Sequence, residues 1–122
     1  MNADEFKART QKLALRIGRL ADVLPSSRSA DIYGKQLIRS SSSVGANYRA
    51  VCRAKSLADM INKLKIVEEE ADETLYWLEL VAESNLVPRE RIADLMRETN
   101  EILSMVVASL RTLRKKKSKG TD

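Results

Sequence analysis

Two pairs of glutamates are the residues of this sequence whose types and spacing could best do chemistry. Glu70 and Glu73 lie three positions apart, and so do Glu98 and Glu101. On a helix, residues three apart share one face, so each pair would present two carboxylates together. Oxygen ligands that converge from two helices are what Mg²⁺ requires. The four glutamates therefore form one candidate metal site.

A solvated acidic face is the favoured interpretation of these glutamates. The pairs resemble the Glu-rich helices of all-α nucleotide pyrophosphohydrolases, but the lysine or asparagine signature of those enzymes is not found beside them. The chain has no histidine and one cysteine, which argues against histidine-dependent triads, Cys/His zinc sites and Glu-x-x-His di-iron sites. We expect no enzyme activity, no cofactor and no metal, with a magnesium-dependent pyrophosphohydrolase as the alternative.

The net charge of +5 is concentrated at the C-terminal end. Residues 1–55 are basic overall and residues 56–110 are acidic by the same amount, so the two halves suit each other as partners. The remaining basic run supplies six candidate phosphate ligands: Arg111, Arg114, Lys115, Lys116, Lys117 and Lys119. Phosphate contacts of this kind would be nonspecific and salt-dependent, and the run lacks aromatic residues for base stacking. A solubilising tail is the alternative interpretation.

Composition indicates one soluble helical domain. The 122 residues are 43% hydrophobic and 32% charged, with four glycines and two prolines, which is typical of long helices. No apolar run approaches the roughly 18 residues of a membrane span, and the N-terminus lacks the layout of a signal peptide. We expect a cytoplasmic protein without membrane association.

Apolar residues recur at spacings of three and four along four segments, which is the pattern of helices packed on helices. The first segment runs from Phe6 to Leu24, before Pro25. The third begins after Ser56, which predicts an N-cap, and the fourth begins near Pro88. Short joins predict an all-α, up-down-up-down antiparallel four-helix bundle over residues 1–114. Residues 115–122 are predicted to be a basic disordered tail.

The second segment contains four consecutive serines, which would ordinarily indicate a loop. However, Tyr33, Leu37, Ser40, Val44 and Asn47 keep the spacing of three and four straight through them. The pattern therefore predicts a helix over residues 29–54. Its small central residues cost helix propensity, about 0.5 kcal/mol for each serine and about 1 kcal/mol for a glycine, so we expect a close helix crossing to offset that cost.

Polar residues beside the apolar faces form a predicted structural network. Arg39, Ser40 and Asn47 lie on the second helix and Glu70 on the third, where an ion pair with amide support could fix the pairing of the two helices. Separate solvated groups are the alternative. The aromatic residues Tyr48, Tyr76 and Trp77 fall on helix flanks and are candidate interface residues, with a position at the edge of the core as the alternative.

Two motifs resemble a known family, the 23S rRNA intervening-sequence proteins. Their second helix carries Q-L-x-R-S-x-x-S-[VI]-x-A-N, which is matched by residues 36–47. Their third helix often reads K-L-x-I followed by E-x-x-E-T-x-Y-W-L-E-L, which is matched within residues 63–80. The resemblance is close over these two helices. In the rest of the chain, it extends only to the arrangement of the helices. Many relatives have a glutamate shortly after the asparagine, where this chain has Ala50, so any role of that acid is absent here.

The resemblance implies a homo-oligomer, typically a pentameric ring, with no demonstrated enzyme activity. It also implies a connection with nucleic acid, because some relatives are encoded inside rRNA genes and one related group assists reverse transcriptases through a basic ring. RNA, DNA or a nucleic-acid enzyme is therefore the expected partner class. The sequence thus predicts a non-enzymatic assembly or adaptor protein, with a purely structural oligomer as a further alternative.

Overall fold

The computed structural model describes residues 1–120, which form four α-helices and no strand. The helices are α1 (Ala3–Asp22), α2 (Arg28–Val51), α3 (Leu57–Glu83) and α4 (Arg89–Ser118). The prediction of an all-α chain with four helices is confirmed. Among these residues, no helix combines the length and the apolar character that crossing a bilayer requires.

Capping side chains fix where three of the helices begin. Asn2, Ser27 and Ser56 each accept a hydrogen bond from the backbone amide three residues further on. Each cap satisfies one of the backbone donors that a helix leaves free in its first turn. Pro88 precedes α4 with no side-chain cap, and its ring fixes a backbone angle compatible with a helix start. The predicted cap at Ser56 and the predicted start near Pro88 are confirmed.

Helix α2 continues through the four serines, as predicted. Two of its glycines face α1: a Cβ atom built on Gly45 would lie 3.1 Å from the Thr10 hydroxyl oxygen. One on Gly34 would lie 3.7 Å from the Cβ atom of Ala21. Small side chains therefore let α1 and α2 approach closely, and the packing gained there offsets the low helix propensity of the sequence.

One apolar core is shared by all four helices. Consecutive helices pack on each other over most of their length, whereas α1 and α4 share a narrower contact. The fully buried large side chains of the core include Leu13, Ile17, Leu37, Leu78, Ile92, Ile102 and Leu110. Five polar residues are also buried, namely Thr10, Ser40, Ser41, Thr74 and Thr99, and each carries only a small hydroxyl group.

Helix α4 ends later than the predicted boundary of the bundle at residue 114. Residues 115–118, predicted to be disordered, continue the helix to Ser118, and Gly120 follows with a positive φ of 75°. Lysine is a good helix former, and cations are favourable in the last turn of a helix. Nothing before Gly120 therefore breaks the helix. The end of the predicted tail, Thr121 and Asp122, lies outside the described residues.

Candidate nucleic-acid interface

The fold brings basic segments of all four helices to one end of the molecule. The rings of Phe6 (α1) and Tyr48 (α2) lie 4.6 Å apart between centroids. A cavity of about 80 Å³ beside them is also lined by Leu64 (α3) and by Met105 and Val106 (α4). Segments far apart in the sequence, at residues 1–12, 43–67 and 105–120, therefore lie together. We call them the basic end.

The basic end carries most of the positive charge of the chain. Its three segments hold fourteen Lys and Arg against three Asp and Glu, and Glu98 and Glu101, which pair with Arg9, lie directly beside them. The rest of the described chain holds eight basic and eleven acidic side chains. The basic residues are Lys7, Arg9, Lys12, Arg49, Arg53, Lys55, Lys63, Lys65, Arg111, Arg114, Lys115, Lys116, Lys117 and Lys119. Folding thus converts a charge difference along the sequence into a charge difference between two ends.

Most of these cations have no carboxylate beside them. Within residues 1–120, only Arg9 and Lys63 of the fourteen take part in a salt bridge. Lys63 pairs with Asp59 one turn earlier on α3, at 2.6 Å. Lys55 also lies near the Asp59 carboxylate, to which its backbone N–H donates at 3.0 Å. The other eleven leave a positive potential at this end, which attracts polyanions.

The six predicted phosphate ligands lie in the last turns of α4 and just beyond. All six are exposed: Arg111, Arg114, Lys115, Lys116, Lys117 and Lys119. Because successive residues of a helix are turned by about 100°, their side chains spread around the helix rather than along one face. Leu113, between them, is half-buried against the core. The run is therefore attached to the four-helix body by its own helix.

Arg39 joins α2 to both glutamates of the first pair, and we call these three residues the Arg39 cluster. Its guanidinium lies 3.1 Å from a carboxylate oxygen of Glu70 and forms a second salt bridge with Glu73. Glu73 also accepts a hydrogen bond from the Trp77 indole at 3.0 Å. The side chain of Arg39 is 47% exposed and that of Glu70 is 16% exposed, so the cluster lies at the edge of the α2–α3 contact.

The other two members of the predicted network do not join this ion pair. The Asn47 amide donates to the backbone carbonyl of Ser43 at 2.8 Å, within its own helix. Ser40 is fully buried, and its hydroxyl oxygen lies 2.9 Å from that of Thr74 on α3. The amide support that we expected from Asn47 is thus absent, and a buried hydroxyl pair links α2 to α3 instead.

Arg9 holds the second glutamate pair in the same way, and these residues form the Arg9 cluster. Its guanidinium donates to Glu98 at 2.6 and 2.8 Å and to Glu101 at 2.9 Å. A fourth contact, of 3.3 Å, reaches the Met105 sulfur. Hydrogen bonding to Glu98 raises the pKa of Arg9 further above its usual range, and bonding to Arg9 lowers the pKa of Glu98.

The two glutamate pairs therefore face arginines rather than each other. Glu70 and Glu73 meet an α2 residue, whereas Glu98 and Glu101 meet an α1 residue. Within residues 1–120, no group of three or more acidic, cysteine or histidine side chains is placed to hold a metal ion. The carboxylates of the candidate magnesium site are thus engaged in two separate ion-pair clusters.

The three candidate interface aromatics occupy different surroundings. Tyr48 packs edge-on against Phe6, and burial, with a smaller effect of Cys52, raises the pKa of its hydroxyl to about 12. Trp77 is half-buried between Tyr33 and Tyr76, at 6.0 and 5.3 Å between ring centroids. Tyr76 is 53% exposed. Tyr48 is therefore part of the chain's own packing, and Tyr76 is the aromatic residue that faces solvent.

Sequence reasoning expected phosphate contacts from basic groups of the first half of the chain, but it did not single out Arg9 or the basic residues of α1 and α2 that join the C-terminal run at one end. Lys7, Arg49 and Arg53 line a single groove there. A usable signal existed, because short joins between four long helices place the start of α1, the end of α2, the start of α3 and the end of α4 together. Counting charge by helix end, rather than by half of the chain, would have found the basic end.

Comparison with known proteins decides the family. The sequence model of the 23S rRNA-intervening sequence proteins matches residues 5–108. The chain belongs to this family. The basic run of α4 begins just beyond the residues matched by the 23S rRNA-intervening sequence model, whereas Lys7, Arg9, Arg49 and Arg53 lie within them.

A solved structure of similar fold comes from the S23 ribosomal protein family. It is the crystal structure of a protein of unknown function from Bacteroides thetaiotaomicron, which is 34% identical to this 23S rRNA-intervening sequence family member. The match covers 91% of this chain and 99% of that one, with a TM-score of 0.82. No curated protein matches the sequence.

Proposed function

We propose that this protein is a non-enzymatic, homo-oligomeric assembly or adaptor protein that binds nucleic acid through its basic end. The observation that carries the proposal is the set of twelve basic residues that form no salt bridge in the described chain, gathered at one end from all four helices. Unpaired cations release bound counterions when they meet phosphates, and this release supplies most of the free energy of nonspecific binding.

An antiparallel up-down-up-down order supports the gathering of charge at one end. Where two helices touch, the residue numbers increase along one helix as they decrease along the other. Between α1 and α4, for example, Arg9 contacts Glu98 and Arg16 contacts Asp94. The same trend holds between α1 and α2, where Gly45 faces Thr10 and Gly34 faces Ala21. In a homo-oligomer, several basic ends would act on one nucleic acid, and weak contacts would gain avidity.

A non-enzymatic role is supported by the state of the four glutamates. Each pair forms salt bridges with one arginine, so a magnesium ion would have to compete with Arg9 or Arg39 for the carboxylates. A magnesium-dependent pyrophosphohydrolase would show nucleotide turnover in millimolar Mg²⁺, and we expect none for any common nucleoside triphosphate.

Salt-dependent RNA binding tests the proposal. Fluorescence anisotropy of a labelled single-stranded RNA would be followed between 50 and 200 mM salt, about the range over which charge-driven binding weakens strongly. Replacement of Lys115, Lys116 and Lys117 by Gln should lower the slope of log affinity against log salt by about 2, at roughly 0.7 for each lost contact.

The matched control removes the same charge from the other end of the molecule. Arg19, Arg28 and Lys35 form no salt bridge in the described chain, and their replacement by Gln should leave the slope unchanged. Equal losses in the two variants would show that net charge alone matters and would contradict a basic-end site. Light scattering on the full chain, and on a chain cut after Leu113, tests the oligomer: a monomer would contradict assembly.

A further inference from the structure

We propose that the groove between α1 and α2 at the basic end binds the phosphodiester backbone of a single nucleic-acid strand. This inference rests on the proposed function and specifies which surface makes the contact. The groove has a volume of about 460 Å³. Lys7 and Gln11 line it from α1, Arg49 from the last turn of α2, and Arg53 from the turn that follows α2.

The groove concentrates positive charge that nothing within the described chain neutralises. Lys7, Arg49 and Arg53 converge from two elements, and none of them forms a salt bridge within residues 1–120. Arg49 lies in the last turn of α2 and Arg53 lies two residues beyond its end at Val51, so their like charges repel each other in the one groove that both line. A phosphate held between them would turn this repulsion into two favourable contacts. The arrangement is therefore suited to an anion supplied from outside.

The floor of the groove is made of small side chains. Ser42, Gly45 and Ala46 line it on α2, at the place where Gly45 approaches Thr10. Because none of these side chains extends far from the helix, a sugar-phosphate strand can lie close to the backbone of α2. The Ser42 hydroxyl and the Gln11 amide can then donate hydrogen bonds to phosphate oxygens, in addition to the charged contacts.

The residues that line the groove also indicate that it does not recognise the bases of a nucleic acid. None of the described residues that line it is aromatic, so the lining offers bases no ring on which to stack. Contacts to phosphate and sugar position a strand without reading its sequence. We therefore expect affinity that depends on salt and strand length, with little preference among sequences.

The test compares two triple variants of the full chain that lose the same charge. Lys7, Arg49 and Arg53 are replaced by Gln in one variant, and Arg19, Arg28 and Lys35 in the other. The probe is a labelled single-stranded RNA of 20 uridines, followed by anisotropy. The groove variant should lose about tenfold or more in affinity near 0.1 M salt, and its salt slope should fall by about 2, whereas the control should keep both.

A second pair of variants adds one negative charge instead of removing positive ones. Ala46→Glu puts a carboxylate on the floor of the groove, and Ala8→Glu puts one on an exposed site of α1 outside it. Both positions are exposed, so both proteins should fold with the melting temperature of the original chain. Ala46→Glu should weaken RNA binding several times more than Ala8→Glu does.

The outcomes separate the groove from the wider proposal. If the full chain binds no RNA, the proposed function is overturned and the groove with it. If the chain binds RNA but the groove triple variant matches its control, or the two glutamate variants bind equally well, the groove is overturned while the basic end as a whole is kept. Loss in both groove variants with retention in both controls supports the groove.

Discussion

The Arg39 and Arg9 clusters contain the same types of residue in different surroundings. In each, one arginine pairs with two glutamates spaced three apart on the neighbouring helix. The Arg39 side chain is 47% exposed, and it lies beside a broad apolar contact between α2 and α3. The Arg9 side chain is 21% exposed, and it crosses the narrower contact between α1 and α4.

The comparison indicates that the contribution of an ion pair to stability depends on how far its surroundings exclude water. An exposed pair gains little because water screens it, whereas partly buried partners have lost water and depend on each other. Helices α2 and α3 also share a core and the Ser40–Thr74 hydroxyl pair. Helices α1 and α4 rely more on Arg9 and on the salt bridge of 2.5 Å between Arg16 and Asp94.

The largest expected effect comes from removing the two arginines in parallel. Arg9→Met should lower the free energy of unfolding by about 2 kcal/mol, between the values for exposed and buried pairs, because Glu98 is left without its partner. Arg39→Met should cost about 0.5 kcal/mol, because the Arg39 side chain is about half exposed and water already screens its ion pairs. Urea denaturation followed by circular dichroism measures both. An equal or larger loss for Arg39→Met would contradict the comparison.

A smaller effect is expected from the buried hydroxyls that α2 and α3 share. Thr74→Val should cost about 1 kcal/mol, since the buried Ser40 hydroxyl loses its partner on α3. The double variant with Ser40→Ala should cost less than the sum of the two single variants. Thr99→Val is the matched control, because the buried Thr99 hydroxyl donates to the carbonyl of Leu95 in its own helix at 2.7 Å. Additive losses at Ser40 and Thr74 would mean that the pair does not couple the helices.

The smallest expected effect is the dependence of the Arg9 cluster on pH. Arg9 lowers the pKa of Glu98 below the ordinary value of 4.5, so this carboxylate binds a proton less readily in the folded chain than in the unfolded one. The stability that it adds is present above that value and is lost as the pH falls through the lower pKa of the folded state. Glu98→Gln should therefore flatten the decrease in melting temperature between about pH 6 and pH 3.

The control for that experiment is Glu79→Gln, which removes an exposed carboxylate outside both clusters. This variant should keep the pH dependence of the original chain. A profile that Glu98→Gln leaves unchanged would place the acid sensitivity elsewhere, for example at Asp94, whose pKa is lowered chiefly by its hydrogen bond to Arg16.

The helices could be predicted because their signals are local. The spacing of apolar residues predicted that α2 continues through four serines, and Ser56, whose side chain caps the helix, predicted the start of α3. The end of α4 was placed too early, since a run of lysines looks disordered when its charge is considered without its helix propensity. The resemblance to the intervening-sequence family was carried by α2 and α3, and the family match confirms it.

The contacts between helices were harder to predict because they depend on pairs distant in the sequence. Arg39 and Glu70 are placed together, as their positions beside the apolar faces suggested. Arg9 and Glu98 are 89 residues apart, and no local pattern connects them. Asn47 was expected to support an ion pair with α3, but its amide bonds one turn back in its own helix, a local option that side chains of this type often take.

The separation of charge described for the basic end also determines how this molecule approaches another one. A body with excess positive charge at one end and excess negative charge at the other is an electric dipole tens of ångströms long, given a rise of about 1.5 Å for each residue of helix. In the field of a polyanion, it rotates before contact and arrives with the same end foremost. Encounters are then oriented as well as accelerated, and both effects fade together as salt shortens the range of the field.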